Sequence, residues 1–145
     1  MKKFTDFITE KKSHLHNLYI QVDEELRKVI STDHSRQRKD QTHNQVEDVL
    51  LKETIEIIEK CDDQLTNDLL NRTDKTVVGI KKYLKSPLKY FIVIFEAINF
   101  NKETFEYDAV LITHDKYGDD KPDFIFKPNT DIIYEIKNNY VKKVK

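Results

Sequence analysis

Lys89-Tyr90-Phe91-Ile92-Val93-Ile94-Phe95 is the stretch on which the fold turns. It is apolar on both parities and rich in β-branched and aromatic residues, which predicts a central strand buried on both faces. After a turn at Asn101 to Thr104, Phe105, Tyr107, Ala109, Leu111 and Thr113 alternate, with Val110 and Ile112 adding burial toward the end. The two segments predict a hairpin. Asp115 to Lys121, with Gly118, breaks the pattern before Asp123-Phe124-Ile125-Phe126, a Pro128-Asn129-Thr130 turn and Ile132-Ile133-Tyr134-Glu135-Ile136. Short connections favour antiparallel neighbours, since a parallel pair needs a crossover of a dozen or more residues. A four-stranded antiparallel meander is the expectation.

Upstream the period changes. Phe4, Phe7 and Ile8, then Leu15, Leu18, Tyr19, Val22, Leu26, Val29 and Ile30 recur at steps of three and four, which predicts an amphipathic helix broken near Ser13. Ser31-Thr32-Asp33 offers cap residues, and Thr42-His43-Asn44-Gln45 has capping-box spacing. A second helix is expected from there, burying Val46, Val49, Leu50, Ile57, Ile58 and Cys61. Helices first and strands later make an α+β fold, with two or three N-terminal helices packed on a four-stranded antiparallel sheet. Residues 1–12 read as an N-terminal helical or targeting segment, 13–137 as a single domain and 138–145 as a basic tail.

The chain has 145 residues, of which 38% are apolar, enough for one modest core. Two glycines, Gly79 and Gly118, are too few for a glycine-rich phosphate loop. One cysteine, Cys61, builds neither a disulfide framework nor a cysteine zinc site and suits a reducing cytosol. No apolar run reaches membrane-span length, so neither export nor insertion is signalled. Lys+Arg number 25 against 26 Asp+Glu, yet the charges are uneven. Glu47 to Asp63 holds seven acids and two lysines, whereas Arg72 to Lys89 holds Arg72, Lys75, Lys81, Lys82, Lys85 and Lys89 against Asp74 alone. That basic stretch reads as a loop, and it permits a polyanion partner.

Three constellations could carry chemistry. In His34-Ser35-Arg36-Gln37-Arg38-Lys39, with His43 following, a helical conformation would put His34 and Arg38 on one face. An imidazole beside a permanent cation suits cleavage of a phosphodiester by its own 2′-hydroxyl: His34 takes the proton, and Arg36 and Arg38 clamp the phosphate. That reaction uses no cofactor. His114, at the end of a strand and beside a charged loop, or else His43, is the candidate acid for the leaving oxygen. Lys39, Lys116 and Lys121 are the candidate phosphate contacts. The plainer reading is a solvated helix start and a turn histidine. His14 and His16, two residues apart, lie on different faces of a helix and read as surface residues.

The third constellation, Pro122-Asp123, then Glu135-Ile136-Lys137, resembles the PD-(D/E)xK nuclease motif. That resemblance implies Asp123 and Glu135 as ligands of a divalent metal and Lys137 as the residue positioning water.

Tyr19-Ile20-Gln21-Val22-Asp23-Glu24-Glu25-Leu26, His34 with Arg38, and the late strand Ala109-Val110-Leu111-Ile112-Thr113 together resemble the RelE-like endoribonuclease superfamily, in particular its phage-encoded RegB type, over about residues 13–137. The resemblance implies metal-independent cleavage of single-stranded RNA. Thr54 stands near where that type has a second histidine, which passes the acid role to His43 or His114. Met1-Lys2-Lys3-Phe4-Thr5-Asp6-Phe7-Ile8-Thr9-Glu10 resembles the capsid-targeting peptide of internal head proteins of large contractile-tailed phages. That likeness implies packaging in the virion head and delivery into the host cytoplasm. RNA is then the expected partner, with no DNA and no membrane. The rival expectation is a non-enzymatic inhibitor that binds a host defence protein.

Overall fold

The structure is a computed structural model and describes residues 13–22, 24–31 and 45–145. Its elements are β1 (Leu15–Val22), β2 (Glu25–Ser31), α1 (Gln45–Lys60), α2 (Asp62–Leu69), β3 (Thr76–Tyr83), β4 (Leu88–Asn101), β5 (Glu106–Gly118), β6 (Ile132–Lys137) and β7 (Tyr140–Lys143). All seven strands join one sheet in the order β2-β1-β5-β4-β3-β6-β7. The β1–β5 and β3–β6 pairs are parallel, and the others antiparallel.

This corrects the expected architecture of two or three helices on a four-stranded antiparallel sheet. Leu15 to Ser31 is a hairpin, not a helix. A register shift between Leu15 and Asn17 places Leu15 and Leu18 on the same buried face, so a bulge produces the three-residue step that mimics a helical repeat. The turn is equally disguised. Glu24 takes the left-handed conformation, with φ 69°, where glycine or asparagine would have signalled a hairpin. The basic stretch after α2 holds β3, whose Val78 and Ile80 are buried while Lys81 and Lys82 mask the alternation. The expected strand at Asp123 to Phe126 is absent, and the segment read as a basic tail contains β7, paired to β6.

The expected hairpin of β4 and β5 forms, and β4 is the middle strand of the sheet. Parallel pairs arise without short crossovers because β3 and β6 are separated in sequence by the whole β4–β5 hairpin, and β1 and β5 by the two helices.

Both helices cover one face, the inner one. Leu51, Ile57, Ile58, Cys61, Leu65 and Leu69 meet Val78, Ile80, Phe91, Val93, Phe95, Tyr107, Leu111 and Tyr134 in a continuous core. Burial pushes the Cys61 thiol up to about 12, so it is a packing group and not a nucleophile. Asp62 ties α2 to the start of β1: its carboxylate accepts from the Tyr107 hydroxyl at 2.7 Å and from the backbone N–H of His14 at 2.6 Å. Burial raises the Asp62 carboxyl, with those hydrogen bonds pulling the other way.

The opposite, outer face is partly roofed by the segment between β5 and β6. There Tyr90, Tyr117, Phe124 and Phe126 make a chain of ring contacts with centroids 5.0–5.5 Å apart. The backbone N–H of Phe124 donates to the Tyr90 hydroxyl at 2.7 Å. Gly79 makes room for this roof, because a Cβ there would lie 2.7 Å from Cδ1 of Phe126. Gly79→Ala is therefore expected to cost about 1–3 kcal/mol by overpacking. In a urea-denaturation double-mutant cycle, Phe126→Ala should recover part of that loss.

Candidate nucleic-acid interface

Of the expected site residues, His114, Lys116 and Lys121 fall among the described residues. His34, Arg36, Arg38, Lys39 and His43 lie outside the described residues, as do the ten residues resembling a packaging peptide. His114 pairs in register with Val93 on the inner face, where its Nδ1 lies 3.3 Å from Oγ1 of Thr54 in α1. Lys116 follows it on that face, 3.1 Å from the Glu53 carboxylate and 5.8 Å from the Phe91 ring centroid. Both are thus engaged with the helix layer. Lys121 is on the outer side, 3.7 Å from Asp115 and 5.0 Å from the Tyr117 ring centroid.

The carboxylates of the nuclease-like motif also hold other partners. Asp123 is exposed and sits 3.4 Å from Lys89. Glu135, on β6, pairs in register with Lys81 of β3 and Lys142 of β7. Among the described residues no group of three His, Cys, Asp or Glu side chains is arranged to hold a metal ion. No helix among them is long and apolar enough to cross a membrane.

What the topology does assemble is a row of side chains across the outer face. Tyr117 of β5 pairs with Tyr90 of β4, and Tyr90 with Tyr83 of β3. Lys82 pairs with Ile136, which sets Tyr83 beside Lys137 of β6, and Lys137 pairs with Tyr140 of β7. The row reads Tyr117, Tyr90, Tyr83, Lys137, Tyr140. Since side chains alternate between faces, all five project from the same side. The row two residues back along each strand reads Asp115, Ile92, Lys81, Glu135, Lys142.

The two ends differ in exposure. Tyr90 is buried beneath the roof, whereas Tyr83 is 39% and Tyr140 74% exposed. Lys81 stands 4.7 Å from the Tyr90 centroid and 6.0 Å from that of Tyr83, with Lys137 at 5.8 Å from the latter. Adding Lys121 over Tyr117 makes four lysine–ring pairs on one face. Among the described residues no carboxylate lies within ion-pair distance of Lys81, Lys137 or Lys142. Burial, then the neighbouring Glu135, raises the Tyr83 phenol, so at neutral pH it stays protonated and remains a donor.

Sequence reasoning missed Tyr83 and Tyr140 because it placed Lys81 to Lys89 in a loop and the last residues in a tail. A usable signal was present. Lys81 and Tyr83, like Glu135 and Lys137, are spaced by two, which places each pair on one face once the segment is read as a strand. Compared with protein-family models, curated proteins and solved structures, the chain matches none.

Proposed function

We propose that this protein binds single-stranded RNA across the exposed half of the outer sheet face. The observation that carries this is the cross-strand row Tyr83, Lys137, Tyr140, backed by Lys81 and Lys142 in the next row. Flat rings offer stacking to any unpaired base, and ammonium groups with no ion-pair partner among the described residues offer contacts to the phosphates between them. Adjacent strands lie about 4.8 Å apart, so Tyr83 and Tyr140, two strands apart, are about 10 Å from each other. An extended, unpaired strand laid across the row can stack a base on each ring. A duplex hides its base faces and does not fit.

RNA rather than DNA follows from the sequence resemblance alone, and the DNA arm of the test separates the two. His114 projects from the opposite face, so it does not serve as the acid for a phosphate bound on this row. Binding is the activity that the row supports.

The test is fluorescence anisotropy with a labelled ten-nucleotide RNA, the same sequence as DNA, and its duplex, followed by gels of the same mixtures with and without EDTA to read cleavage. Single-stranded RNA is expected to bind most tightly, with affinity falling as salt rises. Lys81→Ala with Lys137→Ala should flatten the log–log salt dependence by about 1.4, from about 0.7 per phosphate contact on a single strand. Absence of binding at low salt, or a salt slope untouched by the double variant, overturns the proposal.

A further inference from the structure

The position of Glu135 within this lysine-rich surface bears on which base the strand carries. Resting on the single-strand reading above, we infer that Glu135 selects guanine at the base stacked beside Tyr83. Glu135 stands in the second row between Lys81 of β3 and Lys142 of β7. It lies one row and one strand from Tyr83, about 8 Å between Cα positions, within reach of the edge of a base stacked there. A surface that only gripped phosphates would gain nothing from a carboxylate there. Lys81 and Lys142 flank it and offset its repulsion of the strand.

An ionised carboxylate has acceptors only, two oxygens with about four lone-pair sites. Side by side, its two oxygens favour a base edge with two adjacent donors. Guanine alone provides this, through N1–H and the N2 amino group. Cytosine and adenine each set one amino group beside an acceptor nitrogen, and uracil sets its single N3–H between two carbonyl oxygens that the carboxylate repels.

The experiment uses the full chain and labelled nine-nucleotide RNAs of uridine carrying one central guanosine, inosine, adenosine, cytidine or uridine. The guanosine strand is expected to bind about tenfold more tightly than the all-uridine strand, within the range of a bidentate base contact. Inosine, which lacks the N2 amino group, should lose most of that advantage. Glu135→Gln, which places an amide donor there, should bind the uridine strand no more weakly and discriminate less than twofold. Guanosine no better than inosine and uridine overturns the base selection while leaving strand binding in place. Guanosine preference surviving in Glu135→Gln overturns it too. Failure to bind any of the five strands overturns the single-strand reading itself. The inosine comparison changes only the ligand, so it decides the matter even if the variant folds poorly.

Discussion

Tyr83→Ala combined with Tyr140→Ala should weaken single-stranded RNA binding about a hundredfold, and each single change about tenfold. Stacking of a base on an aromatic ring is worth about 1–3 kcal/mol by alanine substitution, and about 1.4 kcal/mol is a factor of ten. The two rings are two strands apart with Lys137 between them, far enough for their effects to add approximately. Tyr140 is 74% exposed, so its removal should leave the urea midpoint nearly unchanged. Tyr83→Phe and Tyr140→Phe keep the ring and should bind like the parent protein. A double alanine variant within twofold of the parent affinity would exclude this row as the binding surface, whatever else the protein binds.

The second large effect is on stability. Asp62→Ala should cost about 2–4 kcal/mol in urea denaturation at pH 4.5, because it strands the buried Tyr107 hydroxyl and the His14 N–H without an acceptor. The cost should shrink toward pH 7. The folded carboxyl titrates above its unfolded value of about 3.9. Its contribution is therefore complete below that unfolded value and declines as pH rises through the raised folded one. Other groups titrate alike in parent and variant and cancel in the difference. A penalty that grows from pH 4.5 to 7 would contradict this account of Asp62. Tyr107→Phe, which removes the donor but keeps the ring, should cost less than Asp62→Ala.

How far the fold could be read in advance depended on local geometry. Tyr90 to Phe95 and Phe105 to Thr113 were legible as a hairpin because a run of strand formers is followed by a turn and an alternating segment, and α1 because Leu50, Ile57, Ile58 and Cys61 keep a helical spacing, although Leu51 is buried more deeply than Leu50. β1 was not, since its bulge at Leu15 to Asn17 turns a two-residue period into a three-residue step. β3 was hidden by Lys81 and Lys82, whose long stems cross apolar surface while their charges remain in water. Phe124 and Phe126 looked like strand residues, yet they earn their burial by lying over Tyr117 and Gly79 without pairing to anything.

For the candidate site the limit was topological. Tyr83 and Tyr140 are neighbours only through the parallel β3–β6 join, and no local pattern states which distant strand will dock at a sheet edge. Glu135 and Lys137 were noticed together, but for metal chemistry. Glu135 stands between lysines of the two neighbouring strands, and among the described residues no third metal-ligating group joins it.

The two parallel joins also dictate an order of assembly. β3, β4 and β5 follow one another along the chain and zip together through nearby contacts. β1 must find β5 across both helices, and β6 must find β3 across the intervening hairpin. Closing long loops is entropically dearer than extending a meander, so the central three strands are the natural nucleus and both wings are latecomers. The exposed tyrosines straddle one of those late seams, Tyr83 on the nucleus and Tyr140 on the wing. The proposed binding row is therefore complete only once the wing of β6 and β7 has docked.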